Sequence, residues 1–428
     1  MTDNFVFISE ADVVKAEAEI GVPKFGPLGD VVCTRTYRRF LKELGRRETF
    51  FERNARTTNY SVGLALGMQN TNELQEEADL LYSYMNQLKV WPSGRTQWVG
   101  GTSCTEKRPE ANFNCSFSAI NRPSVFSDAA ELLMLGIGFG FRVHKKDIEQ
   151  LPTIRKGEFL VNYDTYNPVP KKERQEETSI SYEYLEDENQ SSVCRITIGD
   201  SKTGWTTGIQ YLIDIYFGLK EVPNYIIFNF DSVRPLGERI LGFGGTASGP
   251  QALEGILKDI VDIFEECPTD KLRSVDCVDI VCCEARGIIA GSSRRSALIG
   301  LGEEDDELFR NCKLGLYTNP ELAKKSYRSQ ANNTVTIGSQ HEHLVKEFAC
   351  KNPDLHIQHP IVLDFLQSLS PTKETLQKMF ESVKTEGEPG FDNWPRMQLL
   401  RFYAARKERP QYSSEEIWER YCDCGTNP

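Results

Sequence analysis

Long apolar segments are missing from this sequence. The best candidate, LLMLGIGFGF at 132–141, falls well short of the roughly 18 residues that are needed to span a bilayer. The first residues, MTDNFVFISEAD, lack the apolar stretch flanked by basic residues that marks a secretory signal. We therefore expect a cytoplasmic protein that does not enter a membrane.

Positive charge is also in short supply. Lys and Arg number 50 against 62 Asp and Glu, so the formal net charge is −12. A protein that binds nucleic acid along its phosphate backbone needs a basic surface, and this balance argues against such a partner. Small anionic ligands need only a local positive pocket and are still allowed.

Histidine is rare, and the five histidines lie away from the two groups of neighbouring cysteines. One group is Cys277, Cys282 and Cys283, and the other is Cys422 and Cys424. Neither has a partner pair at the spacing of a zinc site, so we predict no metal site. In a long cytoplasmic chain, the twelve cysteines are interpreted as buried or catalytic thiols and not as a disulfide framework.

The length of 428 residues corresponds to two or three domains, or to one large enzyme domain that carries an insertion. Apolar residues from Leu74 to Leu88 recur every three or four positions, which predicts an amphipathic helix with Asn72 as its cap. Upstream, alternating Arg and Glu predict a basic, solvated helix at about 35–47 and a second helix from about 52. The first quarter of the chain is therefore expected to be helical.

Beyond residue 110, short apolar strands alternate with helices. A strand at 112–120, a helix at 126–138 and a strand at 139–144 follow in the order that is typical of an α/β unit with a parallel sheet. The charged segment 148–222 interrupts this order and is interpreted as an inserted α+β subdomain with a helix at 207–219.

The α/β order resumes after this insertion, with a strand at 224–230, a helix at 250–266 and a buried helix near 275–285. The predicted domains are 1–110, 111–147, 148–222 and 223–428.

Three glycine-rich segments are candidates for nucleotide loops. GIGFG at 136–140 closes a helix and enters a strand, the reverse of a dinucleotide-binding fingerprint, so we interpret it as tight packing. GFGGTASGP at 242–250 follows Arg234 and Arg239 in the sequence and leads into the N-terminus of a predicted helix. It is either a phosphate-binding loop or a structural turn. AGSSRRSALIGLG at 290–302 combines small residues with two arginines, which suits a loop that binds a phosphate or a base; surface arginines on a turn are the alternative.

A set of motifs covers nearly the whole chain: PSGRTQWVGGT at 92–102, NCSF at 114–117, LLMLGIGFGF at 132–141, VRPLGERILGFGGTASGP at 233–250, AGSSRRSALIGLG at 290–302, ANNTV at 331–335 and a final GTNP. In content and order this set resembles the adenosylcobalamin-dependent, class II ribonucleotide reductases. The likeness is closest to the monomeric ribonucleoside-triphosphate reductases.

The resemblance implies an α/β fold: the first, parallel five-stranded half of a ten-stranded α/β barrel, preceded by an N-terminal helical lobe. It also implies that the insertion at 148–222 takes the place of a dimer interface and binds the allosteric effector. The barrel would continue from 223 towards a finger loop at the end of this chain.

The resemblance further implies adenosylcobalamin as cofactor, a ribonucleoside triphosphate as substrate, a deoxynucleotide as effector and thioredoxin as reductant. In the family's chemistry a cofactor-derived radical turns a finger-loop cysteine into a thiyl, which abstracts the 3′-hydrogen of the substrate. A glutamate takes the 3′-hydroxyl proton, water leaves from C2′, and a cysteine pair delivers the reducing equivalents and closes to a disulfide.

Carried over by position, the resemblance assigns catalytic roles to Cys115 and Asn427. Cys115 in NCSF matches the first member of the reducing pair, and Asn427 matches the asparagine of the Asn-Pro-Cys-Gly-Glu finger-loop motif, which bonds the ribose hydroxyls. Arg294 and Arg295 match the specificity loop between effector and substrate base. The candidate substrate- and nucleotide-binding residues are Asn114, Ser116, Gly245, Thr246, Ser248, Gly291, Ser292, Ser293, Arg294 and Arg295.

The sequence ends at Pro428, one position before the thiyl cysteine of the motif. We therefore expect the N-terminal portion of a reductase, inactive without a second part that carries the remaining cysteines, the glutamate and the second half-barrel. One hypothesis for the break is an intein, because protein splicing needs Cys, Ser or Thr as the first downstream residue.

Two alternatives are still open at this point. The chain could be a non-catalytic nucleotide- or effector-binding module derived from such a reductase. It could also be a relative of the anaerobic glycyl-radical reductases, which share the barrel, although NCSF and GGTASGP argue against that relationship.

Overall fold

The computed structural model describes residues 6–23, 25–185, 190–240, 245–288, 297–423 and 425. Within these ranges no helix combines the length and the apolar character that crossing a bilayer requires. The chain divides into two compact units, Met1–Asn114 and Cys115–Pro428.

The first unit is mainly helical. Its elements are α1 Glu10–Ile20, α2 Gly26–Val32, β1 Phe40–Leu41, β2 Arg46–Arg47, α3 Phe50–Gly63, α4 Thr71–Asn86, α5 Gly94–Val99 and α6 Ser103–Lys107, with a π-helical turn at Cys33–Tyr37. Helix α3 begins at a capping box in which the Thr49 and Glu52 side chains bond to each other's backbone N–H groups. Its buried residues Phe50 and Phe51 pack with Leu74 and Ala78 of α4 to form the core of this unit.

Two expectations for this unit are corrected. The cap of α4 is Asn70, two residues before the predicted Asn72, because its side chain accepts the Asn72 N–H at 2.9 Å. The predicted basic helix at 35–47 is a π-helical turn followed by the antiparallel hairpin β1–β2. Gly45 turns this hairpin at φ 62°, a left-handed conformation that a helix does not contain.

The second unit alternates strands and helices. Its strands are β3 Cys115–Ala119, β4 Gly138–Arg142, β5 Leu160–Tyr163, β6 Ser179–Tyr184, β7 Ser192–Thr197, β8 Tyr225–Asn229, β9 Leu298–Glu303, β10 Ala331–Ile337 and β11 Gly390–Asn393. Its helices are α7 Ser124–Met134, α8 Lys145–Ile148, α9 Lys202–Tyr216, α10 Pro250–Glu266, α11 Ser274–Gly287, α12 Glu307–Asn311, α13 Pro320–Ala323, α14 Glu342–Lys351, α15 Pro360–Ser368, α16 Lys373–Glu386, α17 Trp394–Glu408 and α18 Ser414–Tyr421.

A five-stranded sheet in the order β11-β10-β9-β4-β3 organises this unit, and all its neighbours are parallel. One face is buried, since Phe139 and Phe141 of β4 and Val335 of β10 join a large core with residues of α7, α10 and α11. This agrees with the predicted parallel five-stranded half of a barrel. The helix predicted at 250–266 is α10, with the predicted bounds.

A second sheet of four strands, in the order β5-β8-β7-β6, gives the inserted segment its α+β character. Strands β5, β8 and β7 are parallel, and β6 pairs with β7 in the antiparallel direction. Strand β8, which we predicted as the resumption of the barrel, belongs to this sheet, so the sheet continues past the predicted boundary at 222. The predicted domain limits themselves stay a prediction.

Candidate functional site

The second face of the five-stranded sheet carries the candidate site. Side chains alternate between the two faces of a strand, so the residues on either side of Phe139 and Phe141 point away from the helical layer. Phe117 of β3 together with Ile299 and Leu301 of β9 pack on this second face with Trp394 and Met397 of α17. We call it the open face of the sheet.

Cys115 lies on the open face, two residues before Phe117. In the register it pairs with Gly138, and Phe117 pairs with Gly140, so β4 presents no side chain next to either residue. Glycine within a strand commonly marks a place where a ligand or another backbone comes close. The sequence interpretation of GIGFG as tight packing did not anticipate that two of its glycines lie beside Cys115.

The other two residues of NCSF that we selected do not share this position. Ser116 lies on the opposite face, where its hydroxyl donates to the Gly138 carbonyl at 2.9 Å. Asn114 is exposed and directly precedes β3. Of the three residues selected from this motif, the structure therefore brings Cys115 alone to the open face, and the binding roles of Asn114 and Ser116 stay predictions.

A buried cation lies at the carboxyl end of β4. The Arg142 side chain is only 2 % exposed and donates two hydrogen bonds, of 2.7 and 2.9 Å, to the Asp147 carboxylate. Its remaining terminal nitrogen donates to Asp423 at 2.6 Å. Burial alone would lower the pKa of Arg142, but the two carboxylates outweigh it and raise that pKa above its usual value.

Asp423 responds to the same contact. Burial raises its pKa, but the hydrogen bond and charge of Arg142, with help from Lys146, lower it to below its ordinary value. The carboxylate therefore stays ionised at neutral pH. Arg142 is not among the residues selected from the sequence, although a charged residue inside the apolar run FGFR was a usable signal.

His144, two residues beyond Arg142, is buried beside this ion pair. Its Nε2 lies 2.8 Å from the Thr336 hydroxyl, and its ring contacts Trp394 at a centroid distance of 5.0 Å. Burial lowers the pKa of His144 well below its usual value, and the positive charges of Arg142 and Lys146 add to the effect. The neutral form of His144 is therefore favoured at neutral pH.

The GGTASGP loop precedes α10, as the sequence indicated. Ala247 is tied to the chain before it, donating to the Glu238 carbonyl at 2.7 Å and accepting from the Gly237 amide at 2.9 Å. Thr246 forms a backbone bridge with Arg239, and Gly245 accepts from the Ile240 amide. Residues 245–247 are thus hydrogen-bonded to residues 237–240, whereas residues 242–244 lie outside the described part of the chain. The phosphate-binding role of this loop stays a prediction.

Ser248 lines a cavity of about 300 Å³ between α10 and α11. The other lining residues are Gln251, Ala252, Gly255, Ile256, Cys283, Arg286 and Gly287. Arg286 is the cation of this cavity and forms an ion pair with Asp259. Arg234, which we had considered as a partner for an anion in this loop, is instead bound to Asp200 at 2.8 Å.

Six predicted residues lie outside the described part of the chain: Gly291, Ser292, Ser293, Arg294, Arg295 and Asn427. Their assigned roles stay predictions. Asp423 and Gly425 are the described residues that lie nearest to Asn427 in sequence.

The predicted group of cysteines on α11 is deeply buried. Burial raises the pKa of the Cys277, Cys282 and Cys283 thiols, which makes them poor nucleophiles at neutral pH. The cysteines across the described ranges are thiols and not disulfides. In those same ranges, no group of three His, Cys, Asp or Glu side chains is arranged to hold a metal ion.

Glu284, on the same helix, is an unanticipated feature. It is fully buried, and neither carboxyl oxygen has a hydrogen-bond partner among the described residues. Burial raises the pKa of Glu284 well above its usual value, because an unpartnered carboxylate is costly in an apolar interior.

Two family models match the chain. The ribonucleotide reductase alpha domain matches residues 10–102, and the insertion domain of B12-dependent ribonucleotide reductases matches residues 171–264. The second match contains β6, β7 and β8 of the four-stranded sheet.

Curated relatives and a solved structure extend these matches. The adenosylcobalamin-dependent ribonucleoside-triphosphate reductase of Lactobacillus delbrueckii subsp. bulgaricus is 30 % identical over an alignment of 363 residues, covering 77 % of this chain and 47 % of the relative. The reductase of the same name from Lactobacillus leichmannii is 30 % identical over 368 residues with the same coverage. The chain therefore spans about half the length of the curated relatives it matches.

A crystal structure of a B12-dependent, class II ribonucleotide reductase is similar to this chain with a TM-score of 0.63 and 27 % sequence identity. The likeness covers 81 % of this chain and 51 % of that one. With the parallel five-stranded sheet, it confirms the predicted fold class.

Proposed function

Because the chain belongs to the adenosylcobalamin-dependent ribonucleotide reductases, we propose that it supplies the N-terminal part of an enzyme that converts ribonucleoside triphosphates to 2′-deoxyribonucleoside triphosphates. The curated relatives are named for the reduction of ribonucleoside triphosphates, and the chain spans about half their length. We assign the activity to the complete enzyme and expect the 428-residue chain to be inactive without the remaining part.

The position of Cys115 carries this proposal. Cys115 lies on the face of the sheet opposite to α7, α10 and α11, and the neighbouring β4 residues Gly138 and Gly140 leave room beside it. We assign Cys115 to the reducing pair, with the second thiol supplied by the remaining part of the enzyme. Of the two thiol hydrogens, one leaves with the 2′-hydroxyl as water and the other ends on C2′, while the two sulfurs join as a disulfide.

Adenosylcobalamin is the cofactor of this family. What it supplies when bound is the radical that starts the reduction. The open face fits such chemistry, because it carries a thiol, Cys115, on the same side of the sheet as the apolar residues Phe117, Ile299 and Leu301. These residues would keep water away from the reacting ribose, while Cys115 delivers hydrogen.

For regulation, we propose that the inserted part of the chain binds a deoxynucleotide effector. The match of residues 171–264 to the insertion domain supports this role, and the segment at 291–295, with Arg294 and Arg295, keeps its predicted part as the specificity loop. We also propose thioredoxin as the reductant and the cytoplasm as the compartment; the described cysteines form no disulfide with one another, as is usual for proteins of a reducing compartment.

The test is to assay two proteins side by side, the 428-residue chain alone and the chain joined to the remaining part of the reductase. With adenosylcobalamin, thioredoxin and each ribonucleoside triphosphate, we expect deoxynucleotide product from the joined protein only. Calorimetric titration with the four deoxynucleoside triphosphates measures effector binding. Effector binding without reduction by the joined protein would support the non-catalytic module instead.

A further inference from the structure

Asp423 and Gly425, together called the segment below, lie against the open face of the sheet, where side chains of β3, β4 and α17 contact them. The carboxylate of Asp423 accepts from Arg142 of β4 at 2.6 Å, and the carbonyl of Gly425 accepts from Arg401 of α17 at 3.0 Å. Gly425 is also in close contact with the Phe117 ring. A Cβ atom at position 425 would lie 2.3 Å from two carbons of that ring, a distance that side chains do not tolerate.

Arg142, the cation that pairs with Asp423, is also held by other side chains. Arg142 is held by its paired hydrogen bonds to Asp147, and its guanidinium lies 5.7 Å from the centre of the Trp394 ring. Lys146 adds a second positive charge 3.7 Å from the same Asp423 oxygen. Because Arg142 is buried and bonded to Asp147, a hydrogen bond to its remaining nitrogen restricts where the Asp423 carboxylate can lie.

Stability alone does not account for this arrangement. The side chain of Asp423 is 61 % exposed, so solvent screens its charge and its pair with Arg142 contributes less than a fully buried pair would. Arg142 has a full partner in Asp147 already. The contact between Asp423 and Arg142 therefore serves chiefly to hold the segment in place.

The position of the segment matters because Gly425 contacts Phe117, a near neighbour of Cys115. Phe117 is two residues from Cys115 on the same face of β3, and Gly425 rests on Phe117. The height of the segment above Cys115 is therefore set by one aromatic ring and by the absence of a side chain at 425.

We propose that Asp423 and Gly425 are positioning residues of the reductase. The bond of Asp423 to Arg142 sets the position of the segment along the sheet surface, and the contact of Gly425 with Phe117 sets its distance from the sheet. Together the two contacts determine where the segment lies relative to the Cys115 thiol. The role rests on the proposed function, but the docking itself can be measured without any catalysis.

The first test uses steric complementarity. Gly425→Ala places a methyl group against Phe117 and should lift the segment, which increases amide hydrogen exchange over residues 422–425 in the 428-residue chain. In the joined enzyme we expect kcat to fall by about 100-fold, the effect of a misplacement of about 1 Å, with KM nearly unchanged.

Phe117→Ala removes the ring that the methyl group meets. In that background Gly425→Ala should cause little further change in exchange or kcat, because the two positions are coupled. Equal effects of Gly425→Ala with and without the Phe117 ring would overturn the proposed height constraint.

The second test uses charge. Asp423→Asn removes the ionic contact and should increase exchange at 422–425 and lower kcat, whereas Asp423→Glu should restore part of both. The matched control is Asp305→Asn, because Asp305 is 60 % exposed and pairs at 2.6 Å with Lys145, the neighbour of Lys146. Asp305→Asn should leave both measurements at the wild-type level.

The two readouts separate this proposal from the proposed function. Faster exchange in Asp423→Asn, with wild-type exchange in the control, supports docking even if the joined enzyme reduces no ribonucleotide. Unchanged exchange in both Asp423→Asn and Gly425→Ala would refute the positioning role, whatever the activity.

Discussion

Arg142 at the end of β4 donates a 2.6 Å hydrogen bond to Asp423, a residue 281 positions later in the chain. The contact joins the second strand of the parallel sheet to the segment after the last helix. It also shows how one buried guanidinium can serve two carboxylates, Asp147 for its own burial and Asp423 for the placement of a distant segment.

Loss of the Arg142 side chain should destabilise the fold strongly. In Arg142→Met the Asp147 carboxylate, whose side chain is 4 % exposed, loses its ionic partner and stays buried. Removal of one member of a buried pair costs about 3–5 kcal/mol, and we expect a loss of that size in urea unfolding followed by circular dichroism.

The control for this measurement is Arg122→Met, because Arg122 and Asp128 form an ion pair with side chains 54 % and 47 % exposed. It should cost less than about 1 kcal/mol. Comparable losses for the two variants would mean that the buried pair is no more important than a surface one.

Glu284 should make the protein less stable as the pH rises. Its pKa in the folded state lies above the value of 4.5 expected in the unfolded chain, so between these two values the folded protein holds a proton that the unfolded chain releases. The free energy of unfolding then falls with increasing pH from about 4.5 upward, by at most about 1.4 kcal/mol per pH unit.

Glu284→Gln removes this titration, so its unfolding free energy, measured in urea at pH 5, 6, 7 and 8, should fall less steeply than that of the wild type. The matched control is Glu321→Gln, because Glu321 has a side chain 81 % exposed and should leave the wild-type slope intact. Parallel pH profiles for wild type and Glu284→Gln would show that Glu284 has an ionic partner in solution.

Sequence patterns predicted the parts of the fold that depend on local periodicity. The apolar face of α10 and the β3-α7-β4 order were recoverable because spacing and propensity act within a few residues. The hairpin at 40–47 was not, since its arginines donate to backbone carbonyls, as Arg47 does to Arg38 at 2.7 Å. The alternating Arg and Glu residues suggested the solvated face of a helix, whereas these arginine side chains stabilise a hairpin.

The site was predictable in part for a related reason. Cys115 was found through a motif, and the structure places it on the open face. Arg142, Asp423 and Phe117 were not selected, because their relationship depends on contacts between residues that are far apart in the chain. Glu284 was not selected either, because the pattern of a helix does not show whether an acidic side chain within it lacks a hydrogen-bond partner.

Cys115→Ser should abolish multiple-turnover reduction by the joined enzyme, because a hydroxyl cannot form the disulfide that ends each cycle. The measurement is deoxynucleotide formed per enzyme with thioredoxin in excess. Cys350→Ser is the control, since Cys350 lies on α14, partly buried and distant in sequence from the sheet strands, and should turn over like wild type. Sustained turnover by Cys115→Ser would remove Cys115 from the reducing pair.

Two glycines that line the same cavity should respond in opposite directions to alanine. A Cβ atom at Gly255, in the middle of α10, would have no atom within 4 Å, whereas one at Gly287 would lie 2.4 Å from Cγ1 of Ile256. Gly255→Ala should therefore stabilise the protein by about 0.5–1 kcal/mol through the helix backbone.

Gly287→Ala should cost about 1–3 kcal/mol, because Ile256 must move to make room. Both variants add one methyl group to the walls of the same cavity, so each controls for the other in thermal unfolding. If both destabilise the protein, the space beside Gly255 is filled in solution, and the cavity next to Ser248 is smaller than the structure indicates. If Gly255→Ala stabilises the chain but weakens effector binding in calorimetry, the occupant of that space is the nucleotide.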